Sequence, residues 1–234
     1  MTSEIPERGP LRATDVVKIC GLSTEDTLDA ALAAGADMVG LVFFAKSPRN
    51  VAPERAKILA ARARGRAAIV ALVVNPEDDA LAAMIDVVRP DLLQLHGAET
   101  VERVAAIRER TGLPVMKAIG VASAADLDAV PAHAAAGARI LLDAKPPKDA
   151  ALPGGNGRRF DWSILENLDR RIPFMLSGGL DPGTVADAIR HVRPAGVDVS
   201  SGVETAPGQK DPDLITAFVA AAREGFASLR GHRP

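Results

Sequence analysis

Reactive side chains recur in one kind of place in this 234-residue sequence, just after a short apolar run. Cys20-Gly21 follows one such run, His96-Gly97 another and Asp143 a third; Ser177-Gly178-Gly179 and Ser200-Ser201-Gly202 follow two more, and Ser47-Pro48-Arg49 stands a few residues past a sixth. The two Gly/Ser clusters have a direct physical meaning. Glycines let the backbone approach an anion, and amides at a turn or helix start then donate to its oxygens, so a phosphorylated ligand is expected. The plainer alternative is that turns between strands and helices need glycine in any case. Cys20 could be a base once ionised, or a small buried hydrophobe. Asp143 ends a hydrophobic run, where its carboxyl must be paired, solvated or protonated. Protonated, it could act as a general acid; otherwise it is tied to a loop amide or to Lys145. Arg49 could clamp a carboxylate through paired hydrogen bonds, or be a solvated surface charge. His96 fits a base, a ligand contact or a packing residue. Lys18 shares by alternation the side occupied by Cys20, and a buried lysine needs a partner, which the sequence does not name.

These residues need elements to hold them. Short β-branched or apolar runs at Val16–Ile19, Met38–Val42, Ala68–Val73, Asp91–Leu95, Pro114–Ala118, Arg139–Leu142, Pro173–Leu176 and Val197–Val199 read as strands buried on both faces. Alanine-rich amphipathic stretches alternate with them. Ser23 and Thr24 before Glu25 and Asp26, Pro53 before Glu54, and Pro76 before Glu77 and Asp78 mark helix starts, because they satisfy free amides and the helix dipole. Gly35 and Gly112 mark helix ends. Seven helices fit between the strands and Asp211–Gly225 makes an eighth, a pattern that suits an α/β fold of the (β/α)8 TIM-barrel type better than an open doubly wound sheet. In such a barrel the loops after the strands build the active site, which is where the reactive residues fall.

Composition narrows the possibilities further. At 47% hydrophobic residues the chain can bury a sizeable core, so residues 15–234 are expected to form one barrel domain. A single cysteine excludes an intrachain disulfide and a Cys-based zinc site and fits a reducing, cytoplasmic setting. A net charge of −2 gives no electrostatic case for nucleic acid or an acidic membrane surface, and no apolar run approaches the roughly 18 residues of a membrane span. Residues 1–14 are polar, lack the apolar centre of a secretory signal and read as a flexible tail. Ala144–Arg159, rich in proline and glycine, reads as a lid. No dinucleotide fingerprint or metal-ligand spacing is found, so neither cofactor nor metal is expected; the oligomeric state, monomer or homodimer, stays open.

Taken in order, Val17-Lys18-Ile19-Cys20-Gly21, Gly35-Ala36-Asp37, Ser47-Pro48-Arg49, Leu93-Gln94-Leu95-His96-Gly97, Leu141-Leu142-Asp143, Gly154-Gly155-Asn156-Gly157, Phe160-Asp161-Trp162, Ser177-Gly178-Gly179-Leu180 and Asp198-Val199-Ser200-Ser201-Gly202-Val203-Glu204 resemble the phosphoribosylanthranilate isomerase family. The likeness covers nearly the whole chain after the tail. It implies an Amadori rearrangement with Asp143 as acid and Cys20 as base, Arg49 on the anthranilate carboxylate, and the turns at Gly178-Gly179 and Ser200-Ser201-Gly202 on the phosphate. The alternatives are the histidine-pathway isomerase, which would carry aspartate where Cys20 stands, and a barrel that has lost its chemistry.

Overall fold

The computed structural model describes residues 14–145, 154 and 160–230. The expected tail, apart from Thr14, and most of the expected lid lie outside the described residues. Parallel strands β1 (Val16–Cys20), β2 (Met38–Phe43), β3 (Ala68–Val73), β4 (Leu92–Leu95), β5 (Val115–Val121), β6 (Arg139–Ala144), β7 (Phe174–Leu176) and β8 (Gly196–Val199) pair in chain order and close, β8 against β1. The open-sheet alternative is thereby excluded. Each expected strand is present. The largest difference in extent is β5, which runs on to Val121 because its last residues stay paired with Asp143 and Ala144 of β6.

Strand alternation sorts the side chains into separate packed regions. Facing outward, Val17, Ile19, Val39, Leu41, Ile69, Leu93, Ile140 and Val197 join the large core under the helices. Facing inward, Val16, Met38, Val70, Leu92, Met116, Leu141 and Met175 plug the barrel's lower interior. Above them lie the fully buried Lys18 and Gln94 and the nearly buried Asp198, and higher still Cys20, Val42 and Leu72. The sequence of this chain is therefore apolar on both faces of most strands, as a parallel sheet covered on both sides requires.

Helices α1 (Glu25–Ala34), α2 (Pro53–Ala63), α3 (Asp78–Val88), α4 (Val101–Thr111), α5 (Val130–Ala135), α6 (Val185–Val192) and α7 (Pro212–Arg230) wrap the barrel. Thr24 caps α1 by accepting from the Thr27 amide, and α1 ends at Gly35 with φ 85°, the left-handed conformation glycine adopts without strain. The expectation of seven helices between the strands is corrected in one place. Between β6 and β7 the described residues hold only a 3-10 turn, Trp162–Asn167, since Leu168 takes an extended conformation and Asp169 accepts from the Arg171 amide, turning the chain toward β7. After β5 the helix opens as a 3-10 turn, Ala124–Ala129, held by a Ser123/Asp126 capping box. Beyond β8 comes a feature not anticipated at all, a small hairpin of β9 (Glu204–Ala206) and β10 (Gln209–Lys210).

Helix α7 packs against α1 and α6 and closes the ring, with Phe218 and Phe226 buried. Replacing Phe218 by alanine should cost about 3–5 kcal/mol through lost burial and the cavity left behind. Urea unfolding followed by circular dichroism checks this; an unchanged midpoint would mean that α7 does not close the core.

Candidate active site

Cys20, the last residue of β1, and Asp143, on β6, line one cleft at the C-terminal end of the barrel, together with Arg49, His96, Ser177, Gly178, Gly179, Ser200 and Ser201. The cleft encloses about 760 Å³ including its open mouth, and Val42, Phe44, Leu72 and Val74 give it an apolar wall. A concave cleft with an apolar wall and a few convergent polar groups suits a small organic ligand.

On the carboxyl side, Asp143 is almost wholly buried; its Oδ1 accepts from the Ala144 amide at 2.8 Å and its Oδ2 lies 3.3 Å from His96 Nε2. His96 Nδ1 stands 3.1 Å from the Gln94 amide nitrogen. With Gln94 donating there, Nδ1 accepts and Nε2 faces the Asp143 carboxyl. Lys145, the alternative partner for Asp143, pairs instead with Asp126 at 2.5 Å. The loop that carries His96 is itself anchored: Glu99 accepts from the Asn75 and Gly97 amides and pairs with the buried Lys117 at 2.9 Å. Gly154 lies against the same group. A Cβ there would come within 2.6 Å of His96 Nε2 and 2.7 Å of Asp143 Oδ2, so only a glycine backbone passes this close over the pair.

On the thiol side, Cys20 is 3% exposed. Burial pushes its ionisation above the usual thiol value, opposed by the ammonium of Lys18. Lys18 in turn donates to Asp198 Oδ1 at 2.7 Å, and Ser177 donates to Asp198 Oδ2 at 3.1 Å. Asp198 is thus the partner that Lys18 required.

The glycine turns after β7 and β8 lie beside the thiol. Gly178 has φ 89°, and a Cβ on Gly202 would overlap the Leu180 carbonyl, so the loops after β7 and β8 touch backbone to backbone. Ser200 donates to the Cys20 carbonyl at 3.2 Å, and Lys210 donates to the Ser200 carbonyl at 3.0 Å. Arg49 is no solvated surface charge: it is 6% exposed and grips Glu204 with two bonds, Nε to Oε1 at 2.7 Å and Nη2 to Oε2 at 2.8 Å. Glu204 also pairs with Lys210. Burial alone would raise the Glu204 carboxyl, but Arg49 and Lys210 outweigh it and hold it below its ordinary range. Two cations against one carboxylate leave this side of the cleft electropositive.

All the residues expected from sequence thus gather at one end of the barrel, with Gly202 holding the two turns together rather than lining the cleft. Sequence reasoning missed the roles of Asp198, Gln94, Glu204 and Lys210. Asp198 and Gln94 each stand two residues before an expected site residue on the same strand face, a signal that was readable. Lys210 arrives from the unanticipated hairpin and had none.

Fold and cleft define a (β/α)8-barrel enzyme with ionisable groups collected at its strand ends. Residues 17–221 match the family model of N-(5'phosphoribosyl)anthranilate (PRA) isomerase. An N-(5'-phosphoribosyl)anthranilate isomerase of Nitrobacter winogradskyi is 59% identical over 215 residues, covering 92% of this chain and 96% of that protein. One from Rhodopseudomonas palustris is 60% identical over 208 residues, 89% of this chain and 95% of that protein. Among solved structures, phosphoribosyl anthranilate isomerase from Thermotoga maritima superposes with a TM-score of 0.80 at 38% identity, covering 89% of this chain and 98% of that one. A phosphoribosyl anthranilate isomerase in complex with reduced 1-(o-carboxyphenylamino)-1-deoxyribulose 5-phosphate superposes with a TM-score of 0.77 at 36% identity, with the same coverage. The chain belongs to the phosphoribosylanthranilate isomerase family.

Substituting valine at Gly202 should force the two turns apart and weaken retention of inorganic phosphate by about tenfold or more, roughly 1.4 kcal/mol. Phosphorus NMR titration measures it, with circular dichroism to confirm folding. Undiminished affinity in a folded variant would show that these turns do not form the anion site.

Proposed function

We propose that this chain catalyses the Amadori rearrangement of N-(5-phosphoribosyl)anthranilate to 1-(2-carboxyphenylamino)-1-deoxyribulose 5-phosphate, a step of tryptophan biosynthesis, with Asp143 as general acid and Cys20 as general base. The observation that carries the assignment is that a carboxyl and a thiol on separate strands line one cleft beside the glycine turns. Asp143 gives its proton to the furanose ring oxygen. The nitrogen lone pair forms a C=N bond as the C1–O bond breaks, leaving an open-chain Schiff base. The Cys20 thiolate then takes the C2 proton, and the C–H electron pair becomes the C1=C2 bond of an enolamine while the C=N electrons return to nitrogen. The enolamine tautomerises to the ketone. Protons and electron pairs move within one substrate, so the chemistry calls on no redox centre and no metal.

The remaining residues have positioning roles in this reading. His96 meets the substrate beside Asp143. Arg49 receives the anthranilate carboxylate with a guanidinium already oriented by Glu204, and Gly178, Gly179, Ser200, Ser201 and Gly202 receive the phosphate. Residues 15–234 form the catalytic barrel, and Gly154 lies over the acid. The setting is cytoplasmic, a reading supported by a lone cysteine working as a free thiol; no described helix is long and apolar enough to cross a membrane. One chain lines the whole described cleft, so a monomer suffices for chemistry and a homodimer would leave it unchanged.

Substrate generated in situ fluoresces, and its decay with and without the protein tests the activity directly. Cys20→Ser and Cys20→Ala should each lower kcat by about 10²–10⁴-fold, the usual worth of a positioned acid or base, with folding retained. Asp143→Asn should abolish turnover while a substrate analogue still binds. Near wild-type turnover in Cys20→Ala would remove the thiol from the mechanism, and an active Asp143→Asn variant would defeat the acid assignment.

A further inference from the structure

Lys18 is fully buried in the barrel interior, where the layer beneath it is made of valine, leucine and methionine. An apolar residue of similar size would fill that position, and a buried ion pair seldom adds more stability than such a replacement would. The charge therefore calls for another reason, and its neighbours supply one. Asp198 is its register partner on β8 and holds the ammonium at 2.7 Å. Ser177 occupies the other carboxylate oxygen. Two residues along β1, on the same face, stands Cys20, and the Lys18 ammonium is the strongest charge favouring its ionised form. Across from Cys20 on β2 stands Gly40, where a Cβ would come within 2.9 Å of the sulfur and 3.2 Å of Lys18 Nζ. The barrel leaves out a side chain at the point where ammonium and sulfur meet.

We propose that Lys18 is a positioning residue for the base: its ammonium, pinned by Asp198 and Ser177, is the counter-charge against which the Cys20 thiolate forms. The proposal rests on the reading of Cys20 as base and extends it to how that base is made. The charged groups facing the sulfur are Lys18 on its own strand, Asp198 from β8, Lys210 from the hairpin after β8 and Arg49 from the loop after β2; β3 presents the apolar Leu72, with Val74 just past its end. Among those that favour the thiolate Lys18 is the strongest, and Asp198 opposes it. Lys18 stays protonated because Asp198 and Cys20 outweigh the cost of its burial and raise its ionisation above the ordinary lysine value. It takes no proton from the substrate.

Opposite signs follow for the two partners. Because Cys20 is the sole cysteine, iodoacetamide alkylation of the full-length protein, followed by intact mass against pH, reads this thiol alone. Lys18→Gln should slow alkylation at a given pH by about tenfold or more, equivalent to at least one pH unit. Asp198→Asn should accelerate it, since the thiolate becomes the ammonium's nearest counter-charge. Both variants moving in the same direction, or neither moving, would overturn the proposal. Should Lys18→Gln fail to fold, Asp198→Asn decides alone, and an unchanged or slower rate there overturns it. In turnover, Lys18→Gln should lose kcat with little change in KM and recover part of the loss at higher pH. Alkylation does not depend on turnover, so an active Cys20→Ser enzyme sinks the base assignment even where the two rates move as expected, whereas an inactive one with unmoved rates sinks only the role of Lys18.

Discussion

Closing a parallel sheet on itself sends every second side chain of each strand into a space that water does not enter, and whatever stands there must pack or be paired. In this chain the lower interior is packed and the next layer is paired. Lys18 and Asp198 face each other across the β1–β8 seam, the last pairing of the closed ring. That pairing sets the height at which charge can exist in the barrel, and Cys20 sits on the following inward position, where the interior opens into the cleft.

The same alternation organises the opposite wall. Gln94 is fully buried at the level of the ion pair, and two residues later His96 reaches the cleft and meets Asp143. Thiol and imidazole each stand over a polar residue two positions below, Lys18 under Cys20 and Gln94 under His96, whereas Asp143 stands over the apolar Leu141. Groups held from below keep their orientation without spending loop entropy. The loops then add what strands cannot. Glycine turns bring backbone close beside the thiol, the Arg49–Glu204–Lys210 cluster draws the loop after β2 to the hairpin after β8, and Gly154 passes over Asp143.

The electrostatics of the two sides differ for a physical reason. The Cys20 thiol carries the full penalty of burial and has one close ammonium to offset it, so in the free protein it holds its proton above the usual range. Around Glu204 two cations converge on one carboxylate, which stays ionised in spite of burial. Arg49 and Lys210 carry more charge than Glu204 cancels, which leaves positive charge beside the glycine turns.

Much of this was legible in the residues alone. Strand positions followed from apolar runs, because a strand covered on both faces has no polar side to show. The places of Cys20, Asp143, Arg49 and His96 followed from the rule that a barrel collects its strand ends on one rim. What sequence could not convey was which charges meet. Lys18 and Asp198 are 180 residues apart, and Arg49 and Glu204 155, so their pairing depends on closure of the ring and on where two loops fold back. The 3-10 turn that the described residues show before β7 and the hairpin after β8 were hidden for a related reason. Side-chain caps at Asp161 and Asp169 and contacts across loops decide them, against a local pattern compatible with helix. Local chemistry and strand periodicity are written in neighbouring residues, whereas the partners of buried charges exist only once distant segments have been brought together.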